Sequence, residues 1–370
     1  MTNVQQVEAT VDRKTRRSVY DTDLHHSWEK PPDLLPYIPA EYRDRWTDRG
    51  MDTPIVHISS NGGKHGVRND LPEVMRARNG GAALSADFAC DHLLDPCGID
   101  WALLTGASIA TLTYQPDEDY ANALAQAFND FTVDRWLEED RRFRGGVVVN
   151  QRDPEVAARE IDRIARHDAV VAAMFQGGAT SPYGQRVYRP IHEACVRNDL
   201  VWAIHFGSEG KGINPAPTAA GHFSYYGESR INRAASYKAH LASFVFEGVF
   251  ERYPTFKVAM LEAGFSWVGP FLWSMDEVWK ETRKQVPWVK KPPSEYVIEQ
   301  VRFASQPEDE PRPADGLEKI LKWMHADRTL MFASDFPHWD WDDPEESFKL
   351  LPVTLQERIF TANAREFFRT

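Results

Sequence analysis

Cysteine is scarce in this chain of 370 residues, which contains only Cys90, Cys97 and Cys195. An odd number of cysteines with no CxxC pair argues against a disulfide framework and against a thiolate zinc site. Cys90 and Cys97 are close enough in sequence to pair, but reduced thiols in a cytoplasmic protein are the favoured interpretation. With 42% hydrophobic residues, the chain is expected to fold on its own core.

Long hydrophobic runs and clusters of lysine and arginine are missing too. No segment approaches the ~20 apolar residues that a membrane span requires, and the polar N-terminus lacks the apolar centre of a signal peptide. A net charge of −12 without a basic run argues against a nucleic-acid partner. We therefore expect a cytoplasmic protein with no membrane partner and with a flexible N-terminal arm over residues 1–17.

Several catalytic signatures are also absent. The chain has no GxSxG, no GxGxxG and no Walker lysine loop, and the pair His192-Glu193 lacks the second histidine of a zincin. Serine hydrolases, dinucleotide enzymes, P-loop enzymes and zincins are therefore poorly supported.

What the sequence does contain is a regular alternation of short β-rich runs and helical stretches. This order predicts a parallel sheet with right-handed crossovers, and the mostly apolar strands fit a sheet that is covered on both faces. Helices are expected over 118–140, from 153 onward, and over 187–198 and 233–251. The predicted strands are 18–23, 99–104, 145–150, 169–175, 199–205, 256–261, 296–303 and 329–333.

A (β/α)8 barrel and a doubly wound open sheet both match this order. Polar residues follow nearly every predicted strand, which favours the barrel, because a barrel builds its active site from the carboxyl ends of its strands. The expected fold class is α/β, a (β/α)8 TIM barrel over residues 18–370 with a long cap insertion, 26–98, after the first strand. The polar residues at the strand ends are His25, Asn150, Gln176, His205, Glu262, Gln306 and Asp335.

Four of the residues at predicted strand ends have side chains that can hold a metal ion. Asp23 and His25 lie two apart on the first strand, so both point to the same side. His205 ends the fifth strand and Asp335 the eighth. Two imidazoles and two carboxylates suit Zn²⁺, Mn²⁺ or a similar divalent ion. The pattern predicts one divalent ion per chain.

Four segments, YDTDLHHSW, VWAIHFGSEG, KVAMLEAGFSWVGPFLWSMDE and LMFASDFPHWD, resemble amidohydrolase family 2, the branch that includes aminocarboxymuconate semialdehyde decarboxylase and the ortho-hydroxybenzoate decarboxylases. The resemblance runs from about residue 18 to 366 and is weakest in the insertion. It implies a (β/α)8 barrel, a catalytic divalent metal and often a dimer. Asp23 takes a ligand position that is commonly histidine, and His25, His205 and Asp335 match the remaining ligand positions.

Glu262 departs from the family pattern, because the family's decarboxylases usually carry a histidine after the sixth strand. A buried carboxyl with a raised pKa could do the same proton work, or Glu262 could orient a ligand or an arginine. The expected reaction is the non-oxidative decarboxylation of a small hydroxyaromatic or unsaturated carboxylic acid. The alternatives are hydrolysis of an amide, lactone or C–C bond by metal-activated water and, more remotely, a non-catalytic ligand-binding barrel.

The remaining candidate residues are assigned from their position near the predicted barrel mouth. Asp335 and Glu262 are the candidate proton carriers, and His222 is a third catalytic candidate. A small, carboxylated substrate is expected, with Arg152 available to bind its carboxylate through two hydrogen bonds. The other predicted substrate-binding residues are His338, Gln306, Trp28 and His26, with His57 as a further pocket residue if the insertion closes the site.

Overall fold

The structure is a computed structural model of the chain, and it describes residues 17–50, 83, 85–106, 112, 114–308, 311, 315–338 and 340–369. Eight parallel strands form one sheet in sequence order, which confirms the predicted barrel. The strands are β1 (Val19–Leu24), β2 (Ile99–Leu104), β3 (Phe143–Val148), β4 (Val170–Gln176), β5 (Val201–His205), β6 (Val258–Leu261), β7 (Val301–Ala304) and β8 (Leu330–Met331).

The first and last strands meet and close the sheet. Leu24 pairs in parallel with Phe336, and the backbone N–H of Asp335 donates to the carbonyl of Asp23 at 3.1 Å. The N–H of His25 donates to the carbonyl of Phe336 at 2.9 Å. This closure brings the first and last predicted ligand segments side by side.

Helices follow the strands and form the outer layer. They are α1 (Pro31–Leu34), α2 (Arg43–Arg49), α3 (Ala86–Ala89), α4 (Asp95–Cys97), α5 (Glu118–Thr132), α6 (Pro154–Ile164), α7 (Arg189–Arg197), α8 (Tyr226–Ile231), α9 (Ala234–Phe246), α10 (Val249–Arg252), α11 (Val268–Thr282), α12 (Pro293–Gln300), α13 (Asp315–Trp323), α14 (Ala326–Thr329), α15 (Val353–Glu357) and α16 (Asn363–Phe367). Wider π-helical turns span Cys90–Leu94, Val133–Leu137 and Arg358–Ala362.

Local sequence explains where α6 begins. The side chain of Asp153 accepts a hydrogen bond from the N–H of Val156 at 3.3 Å, and Pro154 takes the first helical position. An aspartate cap satisfies a helix N–H that has no partner within the helix, and proline has no N–H to lose there. The predicted start of this helix is confirmed.

Aromatic packing between the sheet and the helices determines which strand residues face the barrel interior. Phe175 of β4 and Trp202 of β5 stack with ring centroids 3.7 Å apart, and Trp202 also packs against Phe244 of α9. Both rings therefore point outward. Because strand side chains alternate between faces, Gln176 and His205 point inward, and the two are register partners.

Two element predictions need correction. The predicted strand 296–303 is the end of α12 followed by β7, because Pro293 begins a helix that buries Tyr296 and Val297. Here tertiary burial overrides the β-propensity of the valine and isoleucine residues. The predicted helix 233–251 is two helices, α9 and α10, separated at Gly248, whose φ of 73° lies in the left-handed region that glycine readily adopts.

Residues 28–46 of the predicted insertion pack against α5 and the segment just before it. Trp28 packs against Phe128 with ring centroids 5.9 Å apart, and Arg45 pairs with Asp117, just before α5, at 2.6 Å. Residues 51–82 and 84 lie outside the described residues, as do residues 1–16 of the predicted arm. Ala83 returns to the end of β1 and accepts a hydrogen bond from the N–H of Ser27 at 2.9 Å.

The cysteines match the interpretation as reduced thiols. No disulfide joins any two of Cys90, Cys97 and Cys195. Within the described ranges, no helix combines the length and the apolar character that crossing a bilayer would require.

Candidate metal centre

Four strands supply the chemically active side chains at the barrel mouth. Asp23 and His25 come from the end of β1, and His205 ends β5. Glu262 directly follows β6, and Asp335 lies in the segment after β8. The backbone of Glu262 and of Asp335 is left-handed, with φ of 54° and 60°. Such strained conformations are uncommon outside glycine and cluster at functional sites.

The first group of donors joins Asp23, His25, His205 and Glu262, whose ligand atoms all lie within 4.8 Å of one another. His205 Nε2 is 3.3 Å from Asp23 Oδ2 and 3.3 Å from Glu262 Oε2. His25 Nε2 is 3.4 Å from Asp23 Oδ1. These separations suit donors that surround one ion.

A second group overlaps the first through His25 and contains Asp335 and His338. Asp335 Oδ1 is 2.8 Å from His25 Nε2 and 2.5 Å from His338 Nδ1. The rings of His25 and His338 also lie 4.1 Å apart, centroid to centroid. Asp335 therefore connects the metal-ligand set to His338, whose side chain is 21% exposed.

Supporting hydrogen bonds hold the donors in place. The ring of His205 contacts the carbonyl of Phe206 through Nδ1 at 2.8 Å, which assigns the proton to Nδ1 and leaves Nε2 as the donor to a metal. The hydroxyl of Thr105 donates to Asp23 Oδ1 at 2.8 Å. Asp21 accepts from the N–H of Ser334 at 2.9 Å, which ties β1 to the segment that carries Asp335.

The donor set fits a divalent cation. Asp23 Oδ2, His205 Nε2 and Asp335 Oδ2 are buried and make no well-formed hydrogen bond within the described part of the chain. Burial opposes the charged form of His205, but the carboxylates of Asp23, Glu262 and Asp335 together outweigh burial and raise the pKa of His205 to about 10. A site that attracts a proton this strongly carries excess negative charge, and the mixture of imidazole and carboxylate suits Mn²⁺ or Zn²⁺.

Arg233, a residue that the sequence reasoning missed, contacts this cluster. It lies just before α9, is only 6% exposed, and places NH1 2.8 Å from Glu262 Oε1. Its guanidinium also covers the ring of Phe206 at 4.5 Å. Arg233 follows no strand, so the pattern of polar residues at strand ends does not indicate it.

Burial and a neighbouring cation act in opposite directions on the pKa of Glu262. Burial raises the pKa of its carboxyl to about 7, and the neighbouring Arg233 acts in the opposite direction. The salt bridge agrees with the expectation that Glu262 could orient an arginine. The pKa of Asp335 is held below its ordinary value, because contacts with His338 and His25 outweigh its burial.

A family model for amidohydrolases matches residues 21–370. The chain belongs to the amidohydrolase family. It is 25% identical over 294 residues to a gamma-resorcylate decarboxylase from Polaromonas sp. strain JS666, an alignment that covers 75% of this amidohydrolase and 86% of the relative. This match and the family model agree with the resemblance read from the sequence.

Solved structures show the same fold. A 5-carboxyvanillate decarboxylase from Novosphingobium aromaticivorans with bound manganese has a TM-score of 0.69 and 19% identity, with 96% of this chain and 98% of that chain covered. A dihydroxybenzoic acid decarboxylase from Polaromonas sp. JS666, bound to manganese and 2-nitroresorcinol, has a TM-score of 0.63 and 19% identity, with 95% and 97% covered.

Three other predicted site residues of the amidohydrolase lie outside the two donor groups. His222 is exposed on the long loop after β5. Arg152 donates to the carbonyl of Gln115 and pairs with Glu118 at 3.4 Å, so its contacts are with the segment leading into α5. Gln306 is fully buried and donates to the carbonyl of Asp340 at 3.2 Å. Their catalytic or substrate-binding roles stay predictions.

The contacts of His26 and Trp28 favour a structural role. His26 Nε2 lies 2.9 Å from the hydroxyl of Thr132, and its Nδ1 accepts from the N–H of Gly106 at 3.2 Å. Burial lowers the pKa of His26 to about 3, so the ring is neutral. Trp28 is buried between Trp46 and Phe128. His57 lies outside the described residues.

Proposed function

We propose that this amidohydrolase catalyses the metal-dependent, non-oxidative decarboxylation of a small hydroxyaromatic carboxylic acid. The observation that carries the proposal is the convergence of buried carboxylate and imidazole donors at the barrel mouth beside the buried cation of Arg233. The relatives named above are decarboxylases of hydroxylated benzoic acids, which supports this chemistry over the other reactions of the fold.

One divalent ion would be held by Asp23, His25 and His205, with Asp335 as the fourth ligand that the sequence predicts. Glu262 lies in the same donor group as the first three, whereas Asp335 joins them through His25, so Glu262 is a further candidate ligand. When bound, such an ion supplies Lewis acidity that holds and polarises the substrate's oxygen atoms. Manganese is favoured over zinc because two of the similar structures contain it.

Arg233 is the candidate group for orienting the substrate's carboxylate. Its Nε is buried and has no hydrogen-bond partner among the residues that the structure describes. A guanidinium recognises a carboxylate through paired N–H donors. Arg152, whose guanidinium contacts Gln115 and Glu118, stays the second candidate for this role.

Loss of CO₂ breaks a carbon–carbon bond and leaves its electron pair on the ring carbon, which must then accept a proton. Asp335 and His338 are hydrogen-bonded partners beside the ligand set, so this pair can hold that proton and pass it on. Glu262 is the second candidate proton carrier. His222 is exposed on the long loop after β5, and its catalytic role stays a prediction.

Hydrolysis stays the second candidate function because a carboxylate, Glu262, stands where the resemblance leads us to expect histidine. In that case Asp335 would take a proton from water instead of giving one to carbon. The experiment is CO₂ release from a panel of hydroxybenzoates by the manganese-loaded protein, run beside a panel of esters, lactones and amides. CO₂ release sensitive to Asp335→Asn supports the proposal, whereas turnover of the second panel alone overturns it.

We also propose a domain organisation and an oligomeric state for this amidohydrolase. Residues 18–370 would act as one catalytic barrel, with 26–98 as its cap, in a cytoplasmic homodimer. Light scattering on the purified protein tests the dimer, and a monomeric mass would contradict it.

A further inference from the structure

Two strand-end amides at the barrel mouth have no part in the chemistry described so far. Asn150 follows β3 and is 1% exposed, and Gln176 ends β4 and is 8% exposed. They occupy the side of the mouth between β2 and β5, whereas the predicted metal ligands come from β1, β5 and the segment after β8. Buried amides at such a place require hydrogen-bond partners.

Strand register places the two amides next to the metal ligands. Gln176 is the register partner of His205, and both point inward. Val148 is the partner of Met174, so Asn150, two residues further on, comes beside Gln176. Neighbouring strands lie ~4.8 Å apart, so Gln176 is about one strand spacing from His205 and Asn150 about two. This is the scale of an aromatic ring with substituents.

Each amide has a polar atom that makes no hydrogen bond to any residue that the structure describes. The side-chain oxygen of Asn150 accepts from the N–H of Arg152 at 3.2 Å, which identifies the other end of the amide as the NH₂ group. That nitrogen is buried and has no hydrogen-bond partner within the described residues, and the same holds for Gln176 Oε1. Burying an amide group unpaired is costly, so a ligand or ordered water is expected there.

The space beside Gln176 is small. A cavity of about 10 Å³, lined by Thr105, Val148, Met174 and Gln176 among others, opens there. A cavity of this size holds about one water molecule, so it also accommodates a single hydroxyl oxygen. Asn150 does not line this cavity, but the strand register places its amide donor beside the acceptor of Gln176. A donor next to an acceptor matches a hydroxyl group, which both donates and accepts.

We propose that Asn150 and Gln176 form a specificity subsite that hydrogen-bonds an uncharged hydroxyl substituent of the substrate, on the part of the ring away from the groups held at the metal. The inference rests on the proposed function, since it takes the substrate to be an aromatic acid bound at that metal. A negatively charged substituent is disfavoured, because it would need a cation as partner. The guanidinium of Arg152, two residues after Asn150, already contacts Gln115 and Glu118.

The test compares equilibrium binding of two ligands to the manganese-loaded protein: a 2-hydroxybenzoate with a second, ring-distal hydroxyl, and its analogue with methyl in that place. Calorimetry gives the ratio of the two affinities for wild type and variants. Gln176→Met keeps the side-chain length and removes the polar end. Asn150→Ser keeps an oxygen that can accept from the N–H of Arg152 and removes the amide donor. Gln185→Met, the same change in a loop after β4, is the matched control.

We expect wild type to prefer the hydroxylated ligand, and each subsite variant to reduce that preference about 2- to 10-fold, the worth of one neutral hydrogen bond. The control should keep the wild-type ratio. If both ligands bind and neither Gln176→Met nor Asn150→Ser changes the ratio, the subsite is refuted while the proposed function stands. If wild type binds no hydroxybenzoate at all, the proposed function itself fails, and the subsite fails with it.

Discussion

Replacing Glu209 by glutamine should stabilise the protein, and by an amount that depends on pH. Glu209 lies on the loop that follows the predicted ligand His205, where its Oε2 accepts from the N–H of Gly207 at 3.0 Å and its Oε1 accepts from the hydroxyl of Ser236 at 3.0 Å. The carboxyl also lies directly over Gly177, since a Cβ there would approach Oε1 to 2.2 Å. Burial raises the pKa of Glu209 to about 7 from 4.5.

The direction in which the stability changes with pH follows from how tightly each state binds the proton of Glu209. The folded state holds the proton of Glu209 more tightly than the unfolded chain does, so the contribution of this carboxyl to stability is greatest below pH 4.5 and falls as pH rises towards about 7. At ~1.36 kcal/mol per pH unit, the loss reaches about 3 kcal/mol by pH 8. Glutamine keeps an oxygen for Gly207 and an NH₂ group for the hydroxyl of Ser236, and it does not titrate.

Urea unfolding at pH 5, 6.5 and 8 measures the effect as the difference between Glu209→Gln and wild type. The variant should gain less than about 1 kcal/mol at pH 5 and up to about 3 kcal/mol at pH 8. Glu281→Gln, an exposed glutamate on α11, is the control for removing one negative charge. A stability difference for Glu209→Gln that does not change with pH would refute this reasoning.

The other predictions concern the metal and the reaction. Protein purified without chelator should hold about one divalent ion per chain by elemental analysis, and His205→Ala should lose it, because Nε2 is a buried donor without a well-formed hydrogen bond. Asp335→Asn should abolish turnover while the circular dichroism spectrum stays unchanged. Glu262→Gln should lower kcat ~10²- to 10⁴-fold with the metal retained, and near-normal kcat would make Glu262 a structural residue. Arg233→Lys should raise KM for a carboxylate substrate about 10-fold, because lysine cannot form the paired hydrogen bonds, and an unchanged KM would exclude Arg233 from binding.

Much of the barrel could be predicted because its signals are local. Apolar runs followed by a polar residue mark the ends of β4, β5 and β6, and each needs only a few neighbouring residues to be recognised. The Asp-Pro start of α6 is local in the same way. The prediction of one strand over 296–303 was wrong, because the end of a helix and a short strand both contain β-branched residues there. Only the burial of Tyr296 and Val297 distinguishes the helical part from the strand.

The sequence by itself determined the order of strands and helices and the kinds of side chain at the barrel mouth, including the Asp23, His25, His205 and Asp335 set. Its amidohydrolase motifs also identified the family. Only the tertiary structure decided that Arg233 forms a salt bridge with Glu262 and that Asp21 accepts a hydrogen bond from Ser334, 313 residues away in sequence. It also decided that both ring nitrogens of His26 form hydrogen bonds within the protein. The physical reason is that strand ends follow from local periodicity, whereas these pairings depend on how the barrel closes and on the paths of its long loops, which no short stretch of sequence encodes.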